Sequence, residues 1–143
     1  MDRRDLVLAI LAASDGRQYT PAQLQKAVFL VSRNMPQIVQ GTGFHFVPYD
    51  YGPFDSDVYN EAAILHHAGE AIIAPSGTGR WNTYAATEAG VARGQALLRT
   101  LSDPAQKYLT DVSAWVRAQS FSSLVKSIYD IYPEMRANSI FRG

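Results

Sequence analysis

The chain has 143 residues, with 13 Lys+Arg against 13 Asp+Glu, three His and no Cys. That length suits one domain able to bury roughly two-thirds of its unfolded surface, and a composition 47% hydrophobic and 18% charged reads as globular rather than disordered. The lack of Cys excludes disulfides, thiolate zinc sites and Cys nucleophiles, and a formal net charge of zero gives no reason to expect strong nonspecific affinity for nucleic acid or anionic membrane.

No apolar run approaches the ~20 residues of a membrane span. Met1-Asp2-Arg3-Arg4-Asp5 mixes signs and no A-x-A-like cleavage site follows, so the start does not read as a signal peptide. The expectation is a soluble, cytoplasmic, single-domain protein. Residues 5–13 read as a first helix, with Leu6, Val7, Ile10, Leu11 and Ala13 at helical spacing and Ser14-Asp15-Gly16 as its stop. Thr20-Pro21-Ala22-Gln23 sets a hydroxyl at the N-cap, Pro at the first helical position and Gln at the third, and Leu24, Ala27, Val28 and Val31 continue as one stripe to Met35-Pro36. Gly41-Thr42-Gly43 then breaks the chain, Phe44 to Val47 reads as a short extended segment, and Tyr49-Asp50-Tyr51-Gly52-Pro53-Phe54 is a dense aromatic turn. Asp55 or Ser56 caps a third helix carrying Val58, Ala62 and Leu65, with Gly69 at its C-terminal side.

Ala71–Ala74 and Arg80–Tyr84 read as the strands of a β-hairpin around Pro75–Gly79. Thr87 caps a fourth helix with Val91, Leu97, Leu98 and Leu101 as candidate buried positions. Asp103-Pro104-Ala105-Gln106 repeats the cap logic for a fifth, whose stripe is Tyr108, Leu109, Val112, Trp115 and Val116. Ser120 or Ser122 starts a sixth with Leu124, Val125, Ile128 and Ile131, bounded by Pro133. The predicted class is mainly α (α+β): a winged-helix-like core over residues 1–87, three helices plus a hairpin, followed by about three further helices over 88–143, all in one domain of 143 residues.

A winged helix suggests DNA binding through its third helix, but residues 49–70 carry Asp50, Asp55, Asp57, Glu61 and Glu70 and no Lys or Arg. Such a helix is repelled by a duplex. The predicted hairpin offers Arg80 beside Trp81, so a DNA-binding regulator is kept as the alternative, with a homodimer supplying cations. His66 with Glu70 and Asp57 with Glu61 have helical i, i+4 spacing, yet no set reaches three or four metal ligands, and no metal or other cofactor is expected. No P-loop, G-x-S-x-G, H-E-x-x-H or G-x-G-x-x-G occurs. A small hydrolase would require His45, His66 or His67 to meet an acid in a pocket, and the chain is read as noncatalytic.

The Phe44–Phe54 stretch is the most unusual, and reads either as an aromatic plug between the first two helices and the third or as a rigid surface for a protein partner. Leu24-Gln25-Lys26-Ala27-Val28-Phe29-Leu30 and Tyr49-Asp50-Tyr51-Gly52-Pro53-Phe54 followed by Val58-Tyr59 resemble the second helix and the aromatic-x-Y-G-P turn of the Panacea-domain family of SocA-like, phage-associated proteins. The resemblance covers roughly residues 5–75, with Tyr49 where that family commonly has Trp. It implies a mostly helical bacterial or phage protein that neutralises a toxin or acts as an adaptor through protein contact, and it implies no catalytic residues. The resulting expectation is a protein-interaction module, an antitoxin or accessory subunit of a toxin or defence system. Its partner-binding residues are Tyr49, Tyr51, Phe54, Asp57 and Glu61, and charge reversal at the last two is expected to weaken partner binding with little loss of stability.

Overall fold

The computed structural model describes residues 1–143. Six α-helices and two β-hairpins follow one another: α1 (Arg3–Ala13), α2 (Pro21–Asn34), β1 (Val47–Tyr49), β2 (Gly52–Phe54), α3 (Asp57–His67), β3 (Ala71–Pro75), β4 (Asn82–Ala86), α4 (Glu88–Arg99), α5 (Asp103–Arg117) and α6 (Phe121–Ile131), with 3₁₀ turns at Pro36–Ile38 and Pro133–Arg136. The mainly helical α+β class is as expected. No helix is long and apolar enough to cross a membrane.

Local chemistry fixes most boundaries. Asp2 caps α1 in a reciprocal box with Asp5, so that helix starts two residues before the apolar pattern does. Thr20 and Gln23 form the expected box at α2: the Gln23 N–H donates to Thr20 Oγ1 (3.2 Å) and the Thr20 N–H to Gln23 Oε1 (2.9 Å). At α5 the cap is Ser102 rather than Asp103, because the hydroxyl one residue earlier reaches the Ala105 N–H and Pro104 takes the second helical position. Of the two serines offered for α6, Ser120 does the capping.

Helices α1–α3 followed by the antiparallel β3–β4 hairpin give the winged-helix-like order. Tyr19, between α1 and α2, pairs with Tyr84 of β4 as a one-residue third strand: its N–H donates to the Tyr84 carbonyl (2.7 Å) and its carbonyl accepts from the Tyr84 N–H (2.9 Å). Tyr19 is fully buried. Its hydroxyl donates to the Ile10 carbonyl (2.5 Å), which leaves Ser113 of α5 to donate to the phenolic oxygen (2.5 Å). One side chain thereby ties α1 and α5 to the sheet.

Two features depart from the expected pattern. The extended segment starts at Val47 rather than Phe44, and the aromatic turn is itself a hairpin: Val47, Pro48 and Tyr49 pair with Phe54, Pro53 and Gly52 around Asp50-Tyr51. This hairpin occupies the α2–α3 connection, where a DNA-binding helix-turn-helix has a short turn, and it packs on α2, α6 and the Pro133–Arg136 turn rather than between the first two helices and the third. The second departure is α4, whose buried face is Gly90, Gly94 and Leu98, not the Val91, Leu97 and Leu101 positions, which are only half-buried. A Cβ at Gly90 would stand 1.8 Å from the Glu70 carbonyl oxygen, and one at Gly94 would stand 2.3 Å from Ala12 Cβ. The missing side chain at Gly94 lets α4 lie directly on α1, the most extensive helix pair in the fold, and the one at Gly90 lets α4 meet the backbone of Glu70 before β3.

Gly94→Ala is therefore expected to lower stability by about 1–3 kcal/mol through overpacking, although Ala would add up to about 1 kcal/mol in an open helix. Denaturant titration of the two proteins measures the difference, and an unchanged midpoint would mean that α1 and α4 separate at little cost.

Candidate partner-binding groove

The predicted partner residues divide into two groups. Tyr49, Tyr51 and Phe54 come together on the β1–β2 hairpin and line a hollow of about 280 Å³ with Pro21, Lys26 and Tyr59. Tyr49 stacks on Phe54 (centroids 4.9 Å apart), Phe54 meets Tyr59 edge-on (6.0 Å), and Tyr51 meets Phe121 of α6 edge-on (5.0 Å). A second hollow of about 430 Å³ runs between Thr20–Gln23, Trp81 and Gln119–Leu124. Pro21, Ala22 and Phe121 bound both hollows, so the two form one groove along the start of α2. Tyr49, Tyr51, Trp81 and Phe121 are 50%, 40%, 45% and 47% exposed, and the groove is walled by aromatic faces that the fold leaves open.

Asp57 and Glu61 do not join this groove. They face the start of α1, where Arg3 Nη1 donates to Asp57 Oδ2 (3.1 Å), Arg4 Nε donates to Glu61 Oε2 (2.7 Å) and Arg3 Nε lies 3.5 Å from Glu61 Oε1. Glu61 is only 7% exposed. The expectation that charge reversal at Glu61 costs little stability is corrected: the residue is a paired carboxylate inside the α1–α3 junction. Glu70 is likewise taken up by Arg93, which also donates to Asp5 (3.1 Å). The face that α3 turns to solvent carries Asn60, Ile64, His66 and His67, none of them Lys or Arg. His66 Nδ1 lies 3.1 Å from the Ala71 carbonyl oxygen, and no group of three or more His, Asp or Glu gathers in metal-binding geometry.

Of the alternative DNA-contacting pair, Arg80 stands in the exposed β3–β4 loop, where its backbone N–H donates to Thr78 Oγ1 (3.4 Å). Trp81 turns to the groove instead. No protein-family model, curated protein or solved structure matches the chain.

Sequence reading missed two groove residues, Phe121 and Lys26. Phe121 precedes the apolar stripe of α6, so periodicity does not mark it. Lys26 is only 4% exposed. Its side chain runs beneath the hairpin, and a Cβ on Gly52 would stand 3.7 Å from Lys26 Cε and 3.4 Å from Tyr129 Cε1. Those are ordinary contact distances, and it is the φ of +102° that requires glycine there. No carboxylate or hydrogen-bond acceptor offsets the burial of Lys26, which lowers its pKa from 10.5 to about 8. The titratable groups around it in the hollow are Asp50, Tyr49, Tyr51 and Tyr59, with Tyr129 behind Gly52. Neighbouring Gln25 is also buried but fully used: its amide donates to the Asp55 carbonyl (2.8 Å) and accepts from the Asp55 N–H (3.2 Å), which pins the hairpin to the start of α3. A signal for both was present. Ala27 to Val31 is an unbroken apolar run, wider than a one-sided stripe, so the polar residues beside it had no solvent face to occupy.

Glu61→Lys is expected to cost about 2–3 kcal/mol, because it leaves two arginines facing a buried cation, whereas Asp57→Lys at the exposed end of the cluster costs about 1 kcal/mol or less; thermal denaturation of both variants checks the contrast. For Lys26 the sign runs the other way. The unfolded state holds the proton up to about pH 10.5 and the folded state only to about pH 8, so this group's contribution to stability rises across that window. Lys26→Met is expected to gain about 3 kcal/mol at pH 7, with the gain shrinking to little by pH 10.5. Urea titrations of both proteins at several pH values measure it, and a pH-independent difference would mean that the amine is solvated.

Proposed function

We propose that this protein is a noncatalytic protein-interaction module that grips an extended segment of a protein partner in the groove between the β1–β2 hairpin, the start of α2, Trp81 and α6. One observation carries the reading: four large aromatics, each about half exposed, converge on one apolar groove instead of packing away. Contiguous exposed aromatics of this kind are unusual on a monomer surface, and Tyr and Trp are the residues that dominate binding energy in protein interfaces. The resemblance of the Leu24–Leu30 helix and the Tyr49–Phe54 turn to Panacea-domain proteins would make the partner a cognate toxin or an effector of a phage-defence system, and the module its antitoxin or accessory subunit in the bacterial cytoplasm.

The test is capture of the partner from source cells by the tagged chain, identification by mass spectrometry, and titration of the purified pair. Trp81→Ala and Phe121→Ala are each expected to weaken that affinity by about 30-fold or more, the loss typical of an interface anchor, while melting within a few degrees of the parent. Unchanged affinity in both variants removes the groove from the reading. If the chain instead binds duplex DNA with an affinity that falls steeply with salt, the DNA-binding regulator takes its place.

A further inference from the structure

Lys26 is the one cation that lines the groove, and it lies at the floor of the smaller hollow, covered by the hairpin. Every arginine with an acidic neighbour has used it: Arg3 and Arg4 with Asp57 and Glu61, Arg33 with Glu134, Arg93 with Asp5 and Glu70. Lys26 has no such partner, and neither an ion pair nor a hydrogen bond within the chain involves its ammonium. Asp50 lines the same hollow without pairing to it. The ammonium nitrogen is not sealed from the hollow, so a counter-charge arriving from outside can reach it and offset the cost of its burial. The walls around it are aromatic: Tyr49, Tyr51, Phe54 and Tyr59. The adjoining hollow is apolar, between Pro21, Trp81, Phe121 and Leu124.

We propose that the groove reads a carboxylate of the partner polypeptide, seated on Lys26, next to a large apolar side chain seated between Trp81 and Phe121. Charge count selects the carboxylate. A phosphate dianion would set two negative charges beside Asp50, the other charged side chain of the hollow, against a single cation. Both hollows, about 280 and 430 Å³, have room for the groups assigned to them. The inference rests on the interaction reading above and adds the chemistry that the partner must present.

Two pairs of probes test it on the full chain by following the Lys26 and Gly52 amide resonances: N-acetyl-phenylalanine against its amide, and acetyl-Glu-Phe-amide against acetyl-Gln-Phe-amide. The first pair represents a chain-terminal carboxylate and the second a side-chain carboxylate. At least one acid is expected to bind roughly tenfold or more tightly than its neutral twin, as for a hydrogen bond to a charged group, and Lys26→Met and Lys26→Gln are expected to erase that preference while staying folded. The pair that discriminates identifies the source of the carboxylate. The proposal is overturned if neither acid shifts these resonances at about 10 mM, if acids and neutral twins bind alike, or if the preference survives both substitutions. That failure is separable from failure of the interaction reading: loss of partner affinity in Trp81→Ala and Phe121→Ala with no acid preference leaves the aromatic groove standing and removes the carboxylate alone.

Discussion

Beyond its first turn, helix α1 has no face left for water. Leu6 to Ala12, seven consecutive residues, are each at most 1% exposed. An amphipathic helix needs one apolar neighbour, whereas a helix buried around its whole circumference needs cover on every side. Here α2, α3, α4, α5 and β4 all contact α1. Most other features follow from this demand. Gly94 stands on α4 because that helix must lie against α1 at backbone distance. The C-terminal helices are integral for the same reason, since the winged-helix-like part alone would leave the α4 and α5 side of α1 open.

The groove is built from the periphery of this core. Its hairpin is held from below by Gln25 on Asp55 and from behind by Gly52 against Tyr129. Its tip is held by the polypeptide that follows α6: Asn138 Nδ2 donates to the Pro48 carbonyl (3.1 Å), the Ile140 N–H donates to that of Asp50 (3.0 Å), and the Tyr129 hydroxyl donates to Ser139 Oγ (2.6 Å). The aromatic faces are thus presented on a fixed frame. A partner segment meeting such a frame gives up its own freedom but need not order the groove as well, which favours affinity for a given contact area.

Much of the fold was legible because its signals are local. The caps at Thr20, Thr87 and Ser120 and the apolar periods of α2, α3 and α6 depend on residues a few positions apart, and they placed the elements within a few residues. Long-range facts were not legible. The pairing of Arg3 and Arg4 with Asp57 and Glu61 joins residues more than fifty positions apart, so an acidic helix that reads as an open face is in fact neutralised. The glycine face of α4 is invisible to a pattern that looks for large apolar residues. Tyr49, Tyr51 and Phe54 stood out by their density, whereas Phe121 and Lys26 acquire meaning only when α6 and α2 are brought alongside the hairpin.

The encasement of α1 has a kinetic side. Between Ala13 and Arg117 lie roughly a hundred residues, which at about 5–20 residues per second take on the order of 5–20 s to synthesise. Throughout that interval a helix apolar on all sides lacks the helices that finally enclose it. Contacts between such distant segments also slow folding once the chain is complete enough to make them. The apolar surface of α1 is therefore exposed until α4 and α5 reach their place, and that interval, rather than the stability of the finished fold, is when the chain is open to aggregation.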